Sequence, residues 1–358
     1  MQLFSTYKLG SLELKNRVVM APMTRNRALG NIPSDLMAKY YGQRATAGLL
    51  ITEGTAPSAN GLGYARIPGL YSAAQVEGWK LVTQAVHDKG GRIFAQLMHT
   101  GRVGHPLNME EGAEIVAPSP LANPGEMYTD QEGMQPHPVP REMTKADIDQ
   151  AIAEFVNAAK NAIAAGFDGV EIHAANGYLV EQFINPGTNQ RQDEYGGGIE
   201  NRIRFVVEVA QAISAEIGGE RTGIRLSPYG VFNGTAIYDE LDATYAKLAE
   251  ELNNIGVVYI HIVNHEAMGA PAVPESVREA IRGAYSGTII LSGGYEKARA
   301  ESDLEAGKGH LVAFGRPLLA NPDLVHRMEH DLELNQPDFG TFYTPGPQGY
   351  TDYPISDQ

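Results

Sequence analysis

The chain contains no cysteine among its 358 residues. This absence excludes disulfide bonds, thiolate metal sites, cysteine nucleophiles and cysteine-ligated iron–sulfur clusters. The sequence also lacks an uninterrupted apolar stretch long enough for a membrane span, and its first residues lack the basic and apolar regions of a secretory signal. We therefore expect a cytoplasmic protein that has no membrane partner.

Basic residues are scarce, with 28 Lys and Arg against 43 Asp and Glu, and the formal charge is -15. This balance argues against a nucleic-acid surface or an anionic membrane as the partner, so any anionic ligand must be held by a local arrangement. Metal ligands are not evident either. His261 and His265 are four residues apart, but His261 lies in a predicted strand, where this spacing does not bring side chains together. We interpret both histidines as structural or as polar loop groups and predict no metal site.

Eight short apolar segments alternate with helical patterns along the chain. This alternation predicts an α/β protein with a single (β/α)8 barrel domain over residues 1–358. A hairpin at residues 7–14 should cap the barrel floor, and residues 99–143, rich in Pro, Gly and Asn, should form a lid or rim after the third strand. The predicted strands cover residues 17–23, 48–56, 92–98, a segment beginning at 169, and residues 222–227, 257–263, 288–292 and 310–315.

Three polar side chains follow the fourth predicted strand within six positions, namely His173, Asn176 and Tyr178. In a parallel barrel the carboxyl ends of the strands carry the chemistry. His173 and Asn176 offer two donors that could grip one carbonyl oxygen, and Tyr178 offers a transferable proton. The segment therefore predicts a site that polarises a carbonyl, although a structural histidine at a strand end is the alternative.

Glycines follow the seventh and eighth strands, at Gly293, Gly294 and Gly315, and Arg316 comes next. Backbone N–H groups at such turns can approach a phosphate closely, and an arginine adds a bidentate charge. The pattern predicts a phosphate site, with ordinary loop glycines and a surface arginine as the alternative.

Three further polar groups, Thr24, Gln96 and Arg225, lie in or after other strands of the predicted barrel. An isoalloxazine needs donors and a positive charge at its pyrimidine edge, since reduction places negative charge there. Gln96 and Arg225 supply such groups. Each taken alone could instead be a satisfied polar core residue or a buried ion-pair arginine.

Motifs throughout the chain resemble those of the Old Yellow Enzyme family of FMN-dependent ene-reductases, and in particular its bacterial N-ethylmaleimide and morphinone reductase type. They include Ala-Pro-Met-Thr-Arg, Gln-Leu-Met-His-Thr-Gly-Arg and Glu-Ile-His-Ala-Ala-Asn-Gly-Tyr-Leu. The matching segments are residues 21–25, 96–102, 171–179, 193–197, 200–202, 314–317 and 349–354.

The resemblance implies a role for each candidate residue. The flavin would be lined by Pro22, Met23, Thr24 and Ala56, its pyrimidine edge bound by Gln96 and Arg225, and its phosphate held by Gly293, Gly294, Gly315 and Arg316. The substrate oxygen would be bound by His173 and Asn176, with Tyr178 as proton donor and Tyr343 and Met98 at the substrate channel.

The implied mechanism is ping-pong, with non-covalently bound FMN. A reduced nicotinamide, NADPH or NADH, gives hydride to the flavin and leaves, and an alkene bearing a carbonyl or nitro group takes its place. Flavin N5 then delivers hydride, and Tyr178 protonates the alkene. The resemblance favours NADPH, and no separate dinucleotide fold is required. We expect a monomer or a homodimer.

This chain departs from the family pattern at three places. Met98 stands where many relatives have Trp, Gly198 replaces a usual serine, and the segment 263–269 differs from that of well-known relatives. A phosphate-binding barrel lyase or isomerase is one alternative function, although the lysine or paired carboxylates that it would need are not found at the strand ends. A non-catalytic flavin-binding protein is the other. A dienoyl-CoA reductase with an iron–sulfur cluster is excluded by the lack of cysteine.

Overall fold

Eight parallel strands close into a barrel in the computed structural model, which describes residues 1–356 of the chain. Each strand pairs with the next one, and the last pairs with the first, Val312 opposite Val18. This closure confirms the predicted (β/α)8 barrel. The strands are β1 (Val18–Met20), β2 (Leu49–Ile51), β3 (Ile93–Leu97), β4 (Gly169–Ala174), β5 (Thr222–Leu226), β6 (Tyr259–Val263), β7 (Thr288–Ser292) and β8 (Leu311–Phe314).

Helices surround the barrel. They are α1 (Asp35–Gln43), α2 (Ala73–His87), α3 (Lys145–Ala164), α4 (Leu179–Ile184), α5 (Ile199–Ile217), α6 (Leu241–Ile255), α7 (Glu275–Ala284), α8 (Lys297–Glu305), α9 (Arg316–Ala320) and α10 (Leu324–Glu329). The sequence pattern does not predict α4 or α9, because helices of one or two turns show too few repeats of the apolar period. Within residues 1–356, no helix combines the length and the apolar character that crossing a membrane requires.

The strands are shorter than the apolar runs that predict them. The run at 48–56 contains a regular strand of only three residues, β2. After β2 the backbone N–H of Glu53 donates to the Tyr41 hydroxyl (2.9 Å), and Thr55 N–H returns to the Gln96 carbonyl of β3 (2.9 Å). The ladder to β3 is thus interrupted at Glu53 and resumes at Thr55, and Gly54 between them lines the barrel mouth.

The N-terminal hairpin pairs Tyr7–Leu9 with Leu12–Leu14 and covers the amino-terminal end of the barrel. Leu9 and Leu14 are fully buried in one cluster with interior residues such as Phe94 and Tyr259. This position agrees with the predicted barrel floor, and burial of the two leucines removes apolar area from water.

Two segments outside the barrel contact its mouth. In residues 99–143, Glu126–Thr129 pairs with Gly133–Pro136 as a hairpin, and Asp130 at its turn forms an ion pair with Arg66. Arg66 also donates to the Tyr343 carbonyl (3.0 Å) of the C-terminal segment. Arg27 fixes that segment by donating to the carbonyls of Thr341 (2.8 Å) and Phe342 (2.9 Å). The mouth is therefore framed by chain that is distant in sequence.

Candidate active site

A cavity of about 660 Å³ opens at the carboxyl ends of the barrel strands, a size that accommodates a cofactor together with a small ligand. The structure brings most of the predicted site residues together in its wall. These are Pro22, Met23, Thr24, Gln96, Met98, His173, Asn176, Tyr178, Arg225, Gly293, Gly294, Gly315, Arg316 and Tyr343.

Ala56 is the one predicted site residue outside the cavity wall. It is fully buried and packs in a cluster with Leu62, Ile67 and Met98. Gly54 lines the cavity at this position of the mouth. A Cβ at Gly54 would lie only 2.4 Å from the Met98 sulfur, so the glycine permits the close approach of Met98. The predicted contact between Ala56 and a flavin remains a prediction.

Asn176 has an unusual backbone conformation, with φ of 60° in the left-handed region. Asparagine tolerates this region better than most residues. Three polar contacts hold the turn: its N–H donates to Ser227 Oγ (2.9 Å), its carbonyl accepts from Asn233 Nδ2 (2.7 Å), and its side-chain Oδ1 lies 2.7 Å from His265 Nε2. The loop after β5 consequently holds the backbone of Asn176, and His265 in the loop after β6 contacts its carboxamide.

His173 is buried at the end of β4, and its Nδ1 has no hydrogen-bond partner within residues 1–356. Burial and the neighbouring Arg225, His261 and His265 hold the pKa of His173 well below its usual value. The imidazole is therefore neutral at neutral pH. A neutral ring carries one N–H donor, which can serve a carbonyl in the cavity without adding a buried charge.

The Tyr178 hydroxyl lies 2.9 Å from the Tyr64 hydroxyl, and the Tyr178 ring meets His173 edge to face at 4.9 Å. Burial raises the pKa of Tyr178, although the hydrogen bond with Tyr64 opposes the shift. The phenol accordingly keeps its proton at neutral pH. It can act as an acid next to the two donors.

Beneath these groups a buried carboxylate lies inside the barrel. Glu171 is fully buried and accepts from Gln96 Nε2 (2.8 Å), the Tyr259 hydroxyl (3.0 Å) and His261 Nδ1 (2.9 Å). Burial alone would raise the pKa of Glu171, but its interaction with His261, the Arg225 charge and the hydrogen bond from Gln96 lower it. The hydrogen bond to Glu171 uses one of the two amide hydrogens of Gln96, which leaves the second hydrogen and the oxygen for the cavity.

Arg225 lies beside this carboxylate at 7% exposure, and its Nε has no partner among the described residues. A buried guanidinium without a full set of acceptors is costly unless a ligand supplies them. The structure thus presents a cation with an unused donor next to Gln96. This combination fits the pyrimidine edge of a flavin.

The residues that we predicted to bind a phosphate also line the cavity. Gly293 and Gly294 have φ of 120° and 62°, and a Cβ at Gly293 would lie 2.0 Å from the Asn264 carbonyl. Only glycine fits there. Arg316 is exposed, with its guanidinium 5.3 Å from the Phe339 ring. Glycines with positive φ and an exposed arginine in the same cavity wall suit a phosphate.

The sequence interpretation missed several residues of the wall, among them Tyr64, Phe232 and His265. His265, which we interpreted as a structural or polar loop group, does lie in a loop, but it also lines the cavity and contacts Asn176. No local pattern marks it, since its partner is 89 residues away. Glu171 could have been found, because residues two apart on a strand face the same side and His173 is already a candidate. No cluster of three metal-ligating side chains occurs within the described part of the chain.

These observations describe a parallel (β/α)8 barrel with a cavity at its mouth whose donors and cation suit a flavin. The profile of the NADH:flavin oxidoreductase / NADH oxidase family matches residues 2–335. The chain belongs to this family. Membership confirms the resemblance to Old Yellow Enzyme proteins and excludes the lyase or isomerase alternative.

Similar proteins span nearly the whole chain. A probable flavin mononucleotide-dependent alkene reductase of Leishmania infantum is 42% identical, over 97% of this chain and 95% of that protein. 12-Oxophytodienoate reductase 1 of Oryza sativa subsp. japonica is 43% identical, over 99% and 93%. The solved structure of morphinone reductase superimposes with a TM-score of 0.96 at 45% identity, over 99% of this chain and 96% of that chain.

Proposed function

We propose that the protein binds FMN and uses NADH or NADPH to reduce the C=C bond of α,β-unsaturated carbonyl or nitro compounds. The observation that carries the proposal is the convergence of neutral His173, Asn176 and the protonated phenol of Tyr178 in one cavity. Arg225 lines the same cavity, and its Nε has no hydrogen-bond partner within residues 1–356. A non-catalytic flavin protein would have no need of this combination.

The residues of the cavity fit FMN at both ends. Arg225 and Gln96 would hold the pyrimidine edge, and Gly293, Gly294 and Arg316 would hold the phosphate. Bound FMN supplies the hydride carrier between the reduced nicotinamide and the alkene. The same cavity would admit both substrates in turn, so a second nucleotide-binding domain is unnecessary.

His173 and Asn176 would act on the activating oxygen of the alkene. Each supplies an N–H donor, and hydride addition at the β-carbon places negative charge on this oxygen. Donors that are already oriented stabilise developing charge more than the neutral ground state. We call His173 and Asn176 together the substrate clamp. Because His173 is neutral, the substrate clamp acts through hydrogen bonds and carries no full charge of its own.

Tyr178 would give its proton to the α-carbon of the alkene. Its hydroxyl is held by Tyr64 at 2.9 Å, and the raised pKa keeps the phenol protonated across the neutral range. Tyr343, at 59% exposure, and Met98 would shape the entrance and the wall for the substrate. We further propose a cytoplasmic location and NADPH, which the resemblance favours, as the preferred reductant.

An anaerobic titration tests the proposal. The purified protein should be yellow, bleach on addition of NADPH or NADH, and recover its colour when 2-cyclohexenone is added. A matched sample without enone should stay bleached. A colourless protein that takes up no FMN would refute the proposal. A yellow protein that bleaches but ignores enones and nitroalkenes would support the non-catalytic alternative or another acceptor.

A further inference from the structure

His265 lies in the loop after β6, and its Nε2 is 2.7 Å from Asn176 Oδ1. Its ring is packed edge to face against Phe232, with centroids 4.5 Å apart and an interplanar angle of 63°. The loops after β5 and β6 therefore meet at His265. The contact joins a residue without an assigned role to the proposed substrate clamp.

The charge state of His265 limits what it can do. Burial, followed by the Arg225 charge, lowers the pKa of His265 to about 4. The ring is consequently neutral at neutral pH, with one nitrogen as donor and the other as acceptor. Only the tautomer with hydrogen on Nε2 can donate to Asn176 Oδ1.

The orientation of the Asn176 carboxamide depends on this donor. With Oδ1 directed at His265, the amide nitrogen Nδ2 is left for the cavity, where it can donate to a substrate oxygen. In the reversed orientation Nδ2 would serve an acceptor on His265, and Oδ1 would face the substrate oxygen. Two acceptors facing each other repel, so the reversed orientation opposes the clamp.

We propose that His265 is a positioning residue that holds the Asn176 carboxamide with its amide nitrogen facing the substrate. The inference rests on the proposed function, because it explains how Asn176, the second donor of the substrate clamp beside His173, is oriented. It requires no direct contact between His265 and the substrate. Its effect must therefore be transmitted through Asn176.

A double-mutant cycle with His265→Leu and Asn176→Ala tests this transmission. Leucine removes the donor, whereas His265→Gln keeps an N–H and is the conservative control. We expect His265→Leu to slow re-oxidation of the reduced protein by 2-cyclohexenone roughly tenfold, and Asn176→Ala to slow it roughly a hundredfold. His265→Gln should stay within about threefold of wild type, since the hydrogen bond can be restored. In the Asn176→Ala background, His265→Leu should change the rate less than about twofold.

If His265→Leu slowed re-oxidation by the same factor in the wild-type and Asn176→Ala backgrounds, the inference would be overturned. A His265→Leu single variant with the wild-type rate would also overturn it. Equal FMN content and equal circular dichroism of all variants exclude a folding defect as the cause. If wild-type protein itself fails to reduce the enone, the proposed function fails instead.

A second readout does not depend on turnover. The ¹⁵N chemical shifts of the His265 ring distinguish the two neutral tautomers. We expect hydrogen on Nε2 in the wild-type protein. Hydrogen on Nδ1 alone would contradict the proposed orientation of Asn176.

Discussion

Replacement of Tyr178 by Phe tests the proposed proton donor with little change of shape. The ring is retained, and with it the edge-to-face contact with His173 at 4.9 Å. Only the hydroxyl is lost, together with its 2.9 Å hydrogen bond to Tyr64. Because Tyr64 is only partly buried, its own hydroxyl can find water, and the folding cost should be about 1 kcal/mol.

The effect on the reaction should be larger than the effect on folding. A positioned general acid contributes roughly 10²- to 10⁴-fold to a rate. This range corresponds to about 3–5 kcal/mol of transition-state stabilisation, since each tenfold change is about 1.4 kcal/mol. Transfer of hydride from the nicotinamide needs no proton from Tyr178, so that half of the cycle should change less than about twofold.

Anaerobic stopped-flow absorbance measures the two halves separately. Tyr64→Phe is the matched control, because it removes the same hydrogen bond and leaves the Tyr178 proton in place. We expect a severe loss of enone reduction only in Tyr178→Phe. Retention of wild-type re-oxidation by this variant, within about threefold, would refute the assignment of Tyr178. Since burial raises the pKa of Tyr178 above its usual value near 10, the wild-type rate should not fall from loss of this proton between about pH 6 and 9.

Two further predictions concern the cofactor and the fold. Arg225→Gln removes the buried cation, and loss of hydrogen bonds to a charged group should weaken FMN binding roughly 10- to 100-fold, measured by quenching of free FMN fluorescence. Unchanged affinity would contradict the placement of Arg225 at the flavin. Glu181, buried beneath the site, accepts from Gly177 N–H (2.6 Å) and Ser227 Oγ (2.8 Å), and burial raises its pKa to about 7. Because this folded-state pKa exceeds the unfolded value of about 4.5, the stabilisation that it provides is complete below about pH 4.5 and is lost as the pH rises through about 7. Urea titrations measure this effect. Between about pH 4.5 and 8 the wild type should lose about 3 kcal/mol of unfolding free energy relative to Glu181→Gln. A difference in unfolding free energy between wild type and variant that does not change with pH would contradict the prediction.

The sequence was sufficient for the barrel and for the centre of the site. Eight apolar runs separated by helical periods leave few ways to bury both faces of the strands other than a closed parallel sheet. His173, Asn176 and Tyr178 could be grouped because one strand end carries all three. Their proximity is a local property of the chain.

Contacts between different loops were decided only by the tertiary structure. Tyr64 reaches Tyr178 across 114 positions, and His265 reaches Asn176 across 89. Closure of the barrel brings these side chains together, and the hydrophobic periodicity of the sequence does not predict such contacts. The end of β2 at Ile51 has the same origin, since the Tyr41 hydroxyl of α1 accepts the N–H of Glu53 and interrupts the ladder to β3 there. Local pattern therefore determines which residues can do chemistry, whereas packing of distant loops determines how each one is oriented and protonated.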